Sequence, residues 1–275
     1  MTNSSPVLSS LRQTPKTLTE NPVVFLPVVI VMALQLPQVA LPTTNPVLSG
    51  AMSLGVSAIL LLVMPFLQGG LIGMADEALD GRTTIQTFVA AGKSNYVSIL
   101  VAYIALMAVN FALGILVLLV AVFGGAVALQ GGMEAANTTV LVGVGIAASI
   151  VVFAYLLLTF FAQFYGQAIV LENRDVVDGF KRSVSVVRHH LVSTLGYSLI
   201  GVVISVLAGG LFAVASSLIS PQSTPLFALP EPSLPIVVGT GLAIVVGGIL
   251  FGGFSAVYSV SFYRTITQKP KAVTA

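Results

Sequence analysis

The sequence predicts an all-α fold, a polytopic membrane bundle of six transmembrane helices built as three repeats of an interfacial elbow helix plus a transmembrane hairpin. Three observations predict it. Only 7% of the 275 residues are charged and 56% are hydrophobic, where a soluble domain carries about 25% charged residues. Six apolar stretches reach the roughly 20 residues that cross a hydrocarbon core of about 30 Å. All eleven lysines and arginines fall on one side of those stretches.

The first repeat covers about residues 6–75. Its elbow places Val7, Leu8, Leu11 and Leu18 at helical spacing, interrupted by Pro15, which lacks the donor a helix interior needs. Apolar residues 22–41 and 47–75 form the hairpin, joined by the two-proline turn Pro42-Thr43-Thr44-Asn45-Pro46. The second repeat, about 76–171, opens with Leu79, Ile85, Phe88 and Val89 and continues into spans 97–129 and 140–171, linked through residues 131–137. The third, about 172–266, has the most regular elbow. There Val176, Val177, Phe180, Val184 and Val187 follow helical spacing, while Arg174, Asp175, Asp178, Lys181, Arg182 and Arg188 fill the other positions. Such an amphipathic helix lies in the membrane interface. Spans 191–219 and 236–265 follow, joined by residues 220–235 with five prolines, and residues 267–275 form a tail.

The duplication is carried by spacing. Gln68 and Glu77 match Gln163 and Glu172 at a constant offset of 95, as Asp80 matches Asp175, and Phe88 stands near the same offset from Phe180. Each odd-numbered span has a comparable entry: Glu20-Asn21-Pro22-Val23, Ser94-Asn95-Tyr96-Val97 and His189-His190-Leu191-Val192.

Charge sets the orientation. The three hairpin linkers carry Glu134 and Glu231 but no cation, whereas the opposite side holds Arg12, Lys16, Arg82, Lys93, Arg174, Lys181, Arg182, Arg188, Arg264, Lys269 and Lys271. Cationic loops resist translocation, so both termini are expected in the cytoplasm and the chain in the cell membrane. The sequon Asn137-Thr138-Thr139 would then face outward. Residues 1–21 lack a cationic region followed by a short apolar core, so no removable signal peptide is expected.

Several chemistries are excluded. With no cysteine, there is no disulfide, thiolate nucleophile or cysteine metal site. A surplus of two positive charges is too small for a nucleic-acid footprint. No charge lies within the spans away from their ends, which argues against proton coupling. His189 and His190 point about 100° apart on a helix and do not share a metal. Ser183, Asp178 and His189 do not fall on one helical face, so they make no triad. No catalytic, metal or cofactor-binding residue is expected, and the chain is read as a non-enzyme.

The polar residues within the spans are Gln35, Gln38, Gln68, Asn110, Gln163 and Gln167, with Tyr103, Tyr155, Tyr165, Tyr197 and Tyr258. Gln68, Gln163 and Gln167 are the candidate pocket-lining residues, and the competing reading is hydrogen bonding between helices. Pro65, Gly69 and Gly70 are expected to weaken the second span beside Gln68, as a kink or as a break that exposes backbone. The sixth span is rich in glycine, with Gly248 and Gly252 forming a GxxxG pair that permits close helix contact within the bundle or with another chain. Arg174, Lys181, Arg182 and Arg188 are candidate contacts for anionic lipid headgroups, worth about 1 kcal/mol each.

The stretch Ala168-Ile169-Val170-Leu171-Glu172-Asn173-Arg174-Asp175, with Gly179-Phe180-Lys181-Arg182-Ser183, resembles the elbow of uncharacterised six-helix membrane proteins common in haloarchaea. It is also similar to the membrane domain fused to some bacterial glycerophosphodiester phosphodiesterases. The resemblance implies a helical bundle without catalytic residues of its own. Together these features point to a module that organises membrane lipids, or pairs with another membrane protein or a second copy through glycine-rich helix faces. The alternative is a passive channel or uncoupled transporter for a small or lipidic solute.

Overall fold

The computed structural model describes residues 5–40, 46–130, 138–219 and 233–267. The turn at 42–45, the linker 131–137 with its sequon, most of the proline-rich linker and the tail beyond 267 lie outside them, as do the side chains of Gln35 and Gln38. Among the described residues the structure is helical: α1 (Pro6–Glu20), α2 (Phe25–Ala40), α3 (Pro46–Asp80), α4 (Ile85–Gln130), α5 (Thr138–Ala162), α6 (Tyr165–Glu172), α7 (Val176–His189), α8 (Leu191–Ile219) and α9 (Leu234–Thr267). Five spans are long and apolar enough to cross a membrane, on α3, α4, α5 continuing into α6, α8 and α9. The remaining expected span, the first, falls on α2, only 16 residues long, which follows α1 through a 97° bend.

Pro15 does not break α1. The expected apolar face is corrected here, because the inward side is Val7, Ser10, Thr14, Thr17 and Leu18, with Leu8 exposed. The cause is close approach to α9. Small hydroxyl residues let two helix backbones come near and return their own hydrogen bonds to the helix. Thr14 Oγ1 donates to the Ser10 carbonyl at 2.8 Å, Ser261 Oγ donates to Gln13 Oε1 at 3.3 Å, and Ser10 Oγ meets Thr265 Oγ1 at 3.4 Å.

Asn21 ends α1 and ties it to the next hairpin. Its side-chain nitrogen donates to the Gly81 carbonyl at 2.9 Å, and its oxygen accepts from the Thr83 N–H at 2.9 Å. A single buried amide thus completes the backbone bonding of the α3–α4 turn.

The second span does not break beside Gln68. Helix α3 runs unbroken for 35 residues through Pro65, Gly69 and Gly70, and the glycines serve packing instead. Gly69, Gly70 and Gly73 lie against α4 at Ile99, Phe88 and Ala91. In return, a Cβ added at Gly92 would stand 2.8 Å from the Phe66 ring. This antiparallel α3–α4 pair is sealed by the edge-to-face contact of Phe66 with Phe88, centroids 5.4 Å apart.

The second elbow is also corrected. Leu79 belongs to the end of α3, while Ile85, Phe88 and Val89 begin α4, which continues for 46 residues without a bend-forming stop. Asn21 donates back to the Thr17 carbonyl and also across to Gly81, whereas Asn95 bonds only within its own helix. The first and third elbows stop as separate helices, at Asn21 and His190, and the middle one merges with its span.

The break occurs in the fourth span, between α5 and α6 at Gln163 and Phe164. Ser183, fully buried on α7, repairs it: its hydroxyl donates to the Phe161 carbonyl at 2.7 Å and accepts the Phe164 N–H at 3.0 Å. Helix α6 ends at Asn173 in the left-handed region, φ 51°, with Arg174 N–H closing on the Ile169 carbonyl. Asp175 then caps α7 by accepting from the Asp178 N–H at 2.9 Å.

Buried residues concentrate at the end of the bundle that carries these turns, in two clusters around Met74, Ile99 and Ile169 and around Phe164, Phe262 and Tyr263. Toward the other end the helices present Phe111, Phe123, Phe153 and Val206 outward. In water that would be an aggregation surface, but hydrocarbon solvates it.

Candidate functional site

Two places bring polar chemistry together: a charged collar at the buried end and a cavity among the apolar helices. At the collar, Glu172 is the hub. It accepts from Arg174 Nε at 2.7 Å, from Arg182 Nε at 2.9 and 3.0 Å, and from the Tyr263 hydroxyl at 2.6 Å. Burial disfavours charge on Arg182, but the Glu172 carboxylate outweighs it and holds the guanidinium above its ordinary pKa. Charge-assisted bonds of this kind position both partners.

The four headgroup candidates therefore separate. Arg174 and Arg182 are engaged by Glu172, Lys181 pairs loosely with Asp178 at 3.4 Å, and exposed Arg188 forms no ion pair among the described residues. A further cation, outside the four headgroup candidates, is held at the same end. Arg264 on α9 reaches Asp80 at 2.8 and 3.0 Å and donates to the Asp76 carbonyl at 3.0 Å. The one signal for it was a lone arginine near the end of an apolar run.

The three glutamines do not share one pocket. Gln68 accepts from the Tyr165 hydroxyl at 3.3 Å and lines a cavity of about 330 Å³ between α2, α3, α4 and α9. Gln163 instead sits at the α5–α6 break, bonding the Phe160 carbonyl and Ser198 on α8. Gln167 is buried on α6 and lines none of the cavities described here. Tyr103, which nothing in its local sequence sets apart from the other tyrosines, joins Gln68 in the cavity wall.

Glycine positions shape the same region. Gly248 and Gly252 face Met32 and Val28 of α2, and Gly253 faces Phe25, so the GxxxG pair serves contact within the chain. A second cavity of about 440 Å³ lies between α2, α8 and α9, and the two share Met32, Gly248 and Phe251. Elsewhere, Ser183 is committed to backbone and His189 Nδ1 to the Ser185 carbonyl, so no triad with Asp178 assembles. Among the described residues no three His, Cys, Asp or Glu side chains are grouped to hold a metal.

Residues 6–266 match a family described as a domain of unknown function, DUF7847. The chain belongs to the DUF7847 family. The match spans α1 to the last turn of α9, so collar and cavity both lie inside this DUF7847 domain. No curated protein and no solved structure matches the chain. These comparisons give no support to a likeness with haloarchaeal six-helix proteins or with phosphodiesterase-fused membrane domains. What the geometry offers chemically is an uncharged, mostly apolar cavity and two groups of ion pairs, one on Glu172 and one on Arg264.

Proposed function

We propose that this DUF7847 protein is a non-enzymatic membrane module that organises lipids or a partner membrane protein, with six spans and both termini in the cytoplasm. One observation carries the reading. The described cations gather at a single end, where the amphipathic helices α1 and α7 pack beside the span ends and leave Lys181 and Arg188 outward. Anionic headgroups gain about 1 kcal/mol from each such cation. The test is reconstitution in nanodiscs of mixed phosphatidylcholine and phosphatidylserine, followed by analysis of retained lipid and copurified protein. Enrichment of phosphatidylserine that falls in a Lys181→Gln/Arg188→Gln variant supports the proposal; a lipid-indifferent monomer sinks it.

Orientation is checked separately because the chain has no cysteine. Lys181→Cys in intact cells should resist an impermeant maleimide, while Ser233→Cys, at the opposite end of α9, should label. The reverse pattern would refute the orientation.

A passive channel or uncoupled transporter is the second reading, favoured by the cavity beside Gln68. Solute flux in liposomes that disappears in Gln68→Leu, and persists in Gln163→Leu, would support it over the first.

A further inference from the structure

The 330 Å³ cavity has a polar end without enough partners. Gln68 gives its oxygen to the Tyr165 hydroxyl, which leaves its amide nitrogen as a donor. That nitrogen and the Tyr103 hydroxyl make no hydrogen bond among the described residues, and both side chains line the cavity. Both side chains are half-buried among apolar neighbours, and a polar group facing hydrocarbon gains from a partner that water does not supply there.

We propose that this cavity binds one neutral membrane lipid whose head carries a carbonyl acceptor held by Gln68 and Tyr103, with its chain running past Met32 toward the second cavity. Charge selects against the alternatives. No carboxylate or cationic side chain lines either cavity, so a phosphate or ammonium head would be left uncompensated. Size selects too: volumes of about 330 and 440 Å³ lie in the range of about 300–1,000 Å³ typical of small-ligand sites, and are too small for a helix about 10 Å wide. Met32 stands between the two cavities, close against Gly248, and a thioether side chain repacks readily around a flexible chain.

The inference shares the lipid surroundings of the proposed function but none of its cations. The whole chain is placed in phosphatidylcholine nanodiscs doped with diacylglycerol or phosphatidylserine, each carrying the same photoreactive acyl group. Diacylglycerol should label α3 and α4 near Gln68 and Tyr103 in preference to phosphatidylserine. Each hydrogen bond lost should lower labelling by about fivefold, so Tyr103→Phe reads one step at unchanged thermal midpoint, and Gln68→Leu/Tyr103→Phe reads two with a lowered midpoint, because it also strips the Tyr165 hydroxyl of its acceptor. If the double variant fails to fold, Tyr103→Phe and the cavity-filling Met64→Phe still decide. Equal labelling by the two lipids, or labelling that survives these variants, overturns the proposal. Lys181→Gln/Arg188→Gln should leave this labelling intact, so the collar and cavity readings fail independently.

Discussion

Ser183 shows how one hydroxyl holds a broken span in place. Its two bonds serve the free carbonyl of Phe161 and the free N–H of Phe164, groups that a continuous helix would satisfy itself. Ser183→Ala leaves both buried and unpaired, a loss of about 1–3 kcal/mol. Thermal unfolding in detergent should show a clearly lowered midpoint, whereas Ser185→Ala on the same helix should change little. Glu172 acts at the same scale with charge. Glu172→Gln keeps the shape but leaves Arg174 and Arg182 without their carboxylate, and charged hydrogen bonds of this type contribute about 1.5–3 kcal/mol. Its midpoint should fall further than that of Lys181→Gln, whose partner Asp178 is exposed; equal effects would show that the collar is not a unit.

At the scale of elements, glycine positions sort into two classes that look alike in sequence. Gly70 and Gly92 stand in the α3–α4 contact, where an added Cβ meets the Phe88 and Phe66 side chains, while Gly241 meets nothing within 4 Å. Gly92→Leu should therefore destabilise by about 1–3 kcal/mol or more through overpacking, and Gly241→Leu should be tolerated. Comparing their unfolding midpoints checks this assignment. Asn21 and Asn95 make the same point about helix ends. Both precede an apolar run, yet Asn21→Ala should loosen the α1–α2 bend and the 81–83 turn together, because its amide bonds both segments, while Asn95→Ala removes only bonds near its own helix turn. Limited proteolysis at the 81–84 turn should accelerate in the first variant alone.

For the whole molecule, composition already required a membrane helical bundle, because a chain 56% hydrophobic and 7% charged has no aqueous solution to its surface. Local pattern likewise placed the third elbow, since amphipathic spacing is a property of adjacent residues. The spacing that suggested a repeat did not dictate conformation: the helices at 6–20 and 176–189 stop at Asn21 and His190, while the segment from Ile85 runs on into its span. The candidate site was half legible. A buried glutamine is visible in a sequence, but Gln68 and Gln163 differ only in their neighbours, Tyr165 for one and Ser198 for the other. Sequence alone determined the solvent of this protein, its apolar helices and the one-sided distribution of its charge, all of which follow from residue type and period. Only the tertiary structure decided that the fourth span breaks rather than the second, that Glu172 gathers two arginines, and that Gln68 and Tyr103 face one cavity, because these depend on contacts between residues far apart along the chain.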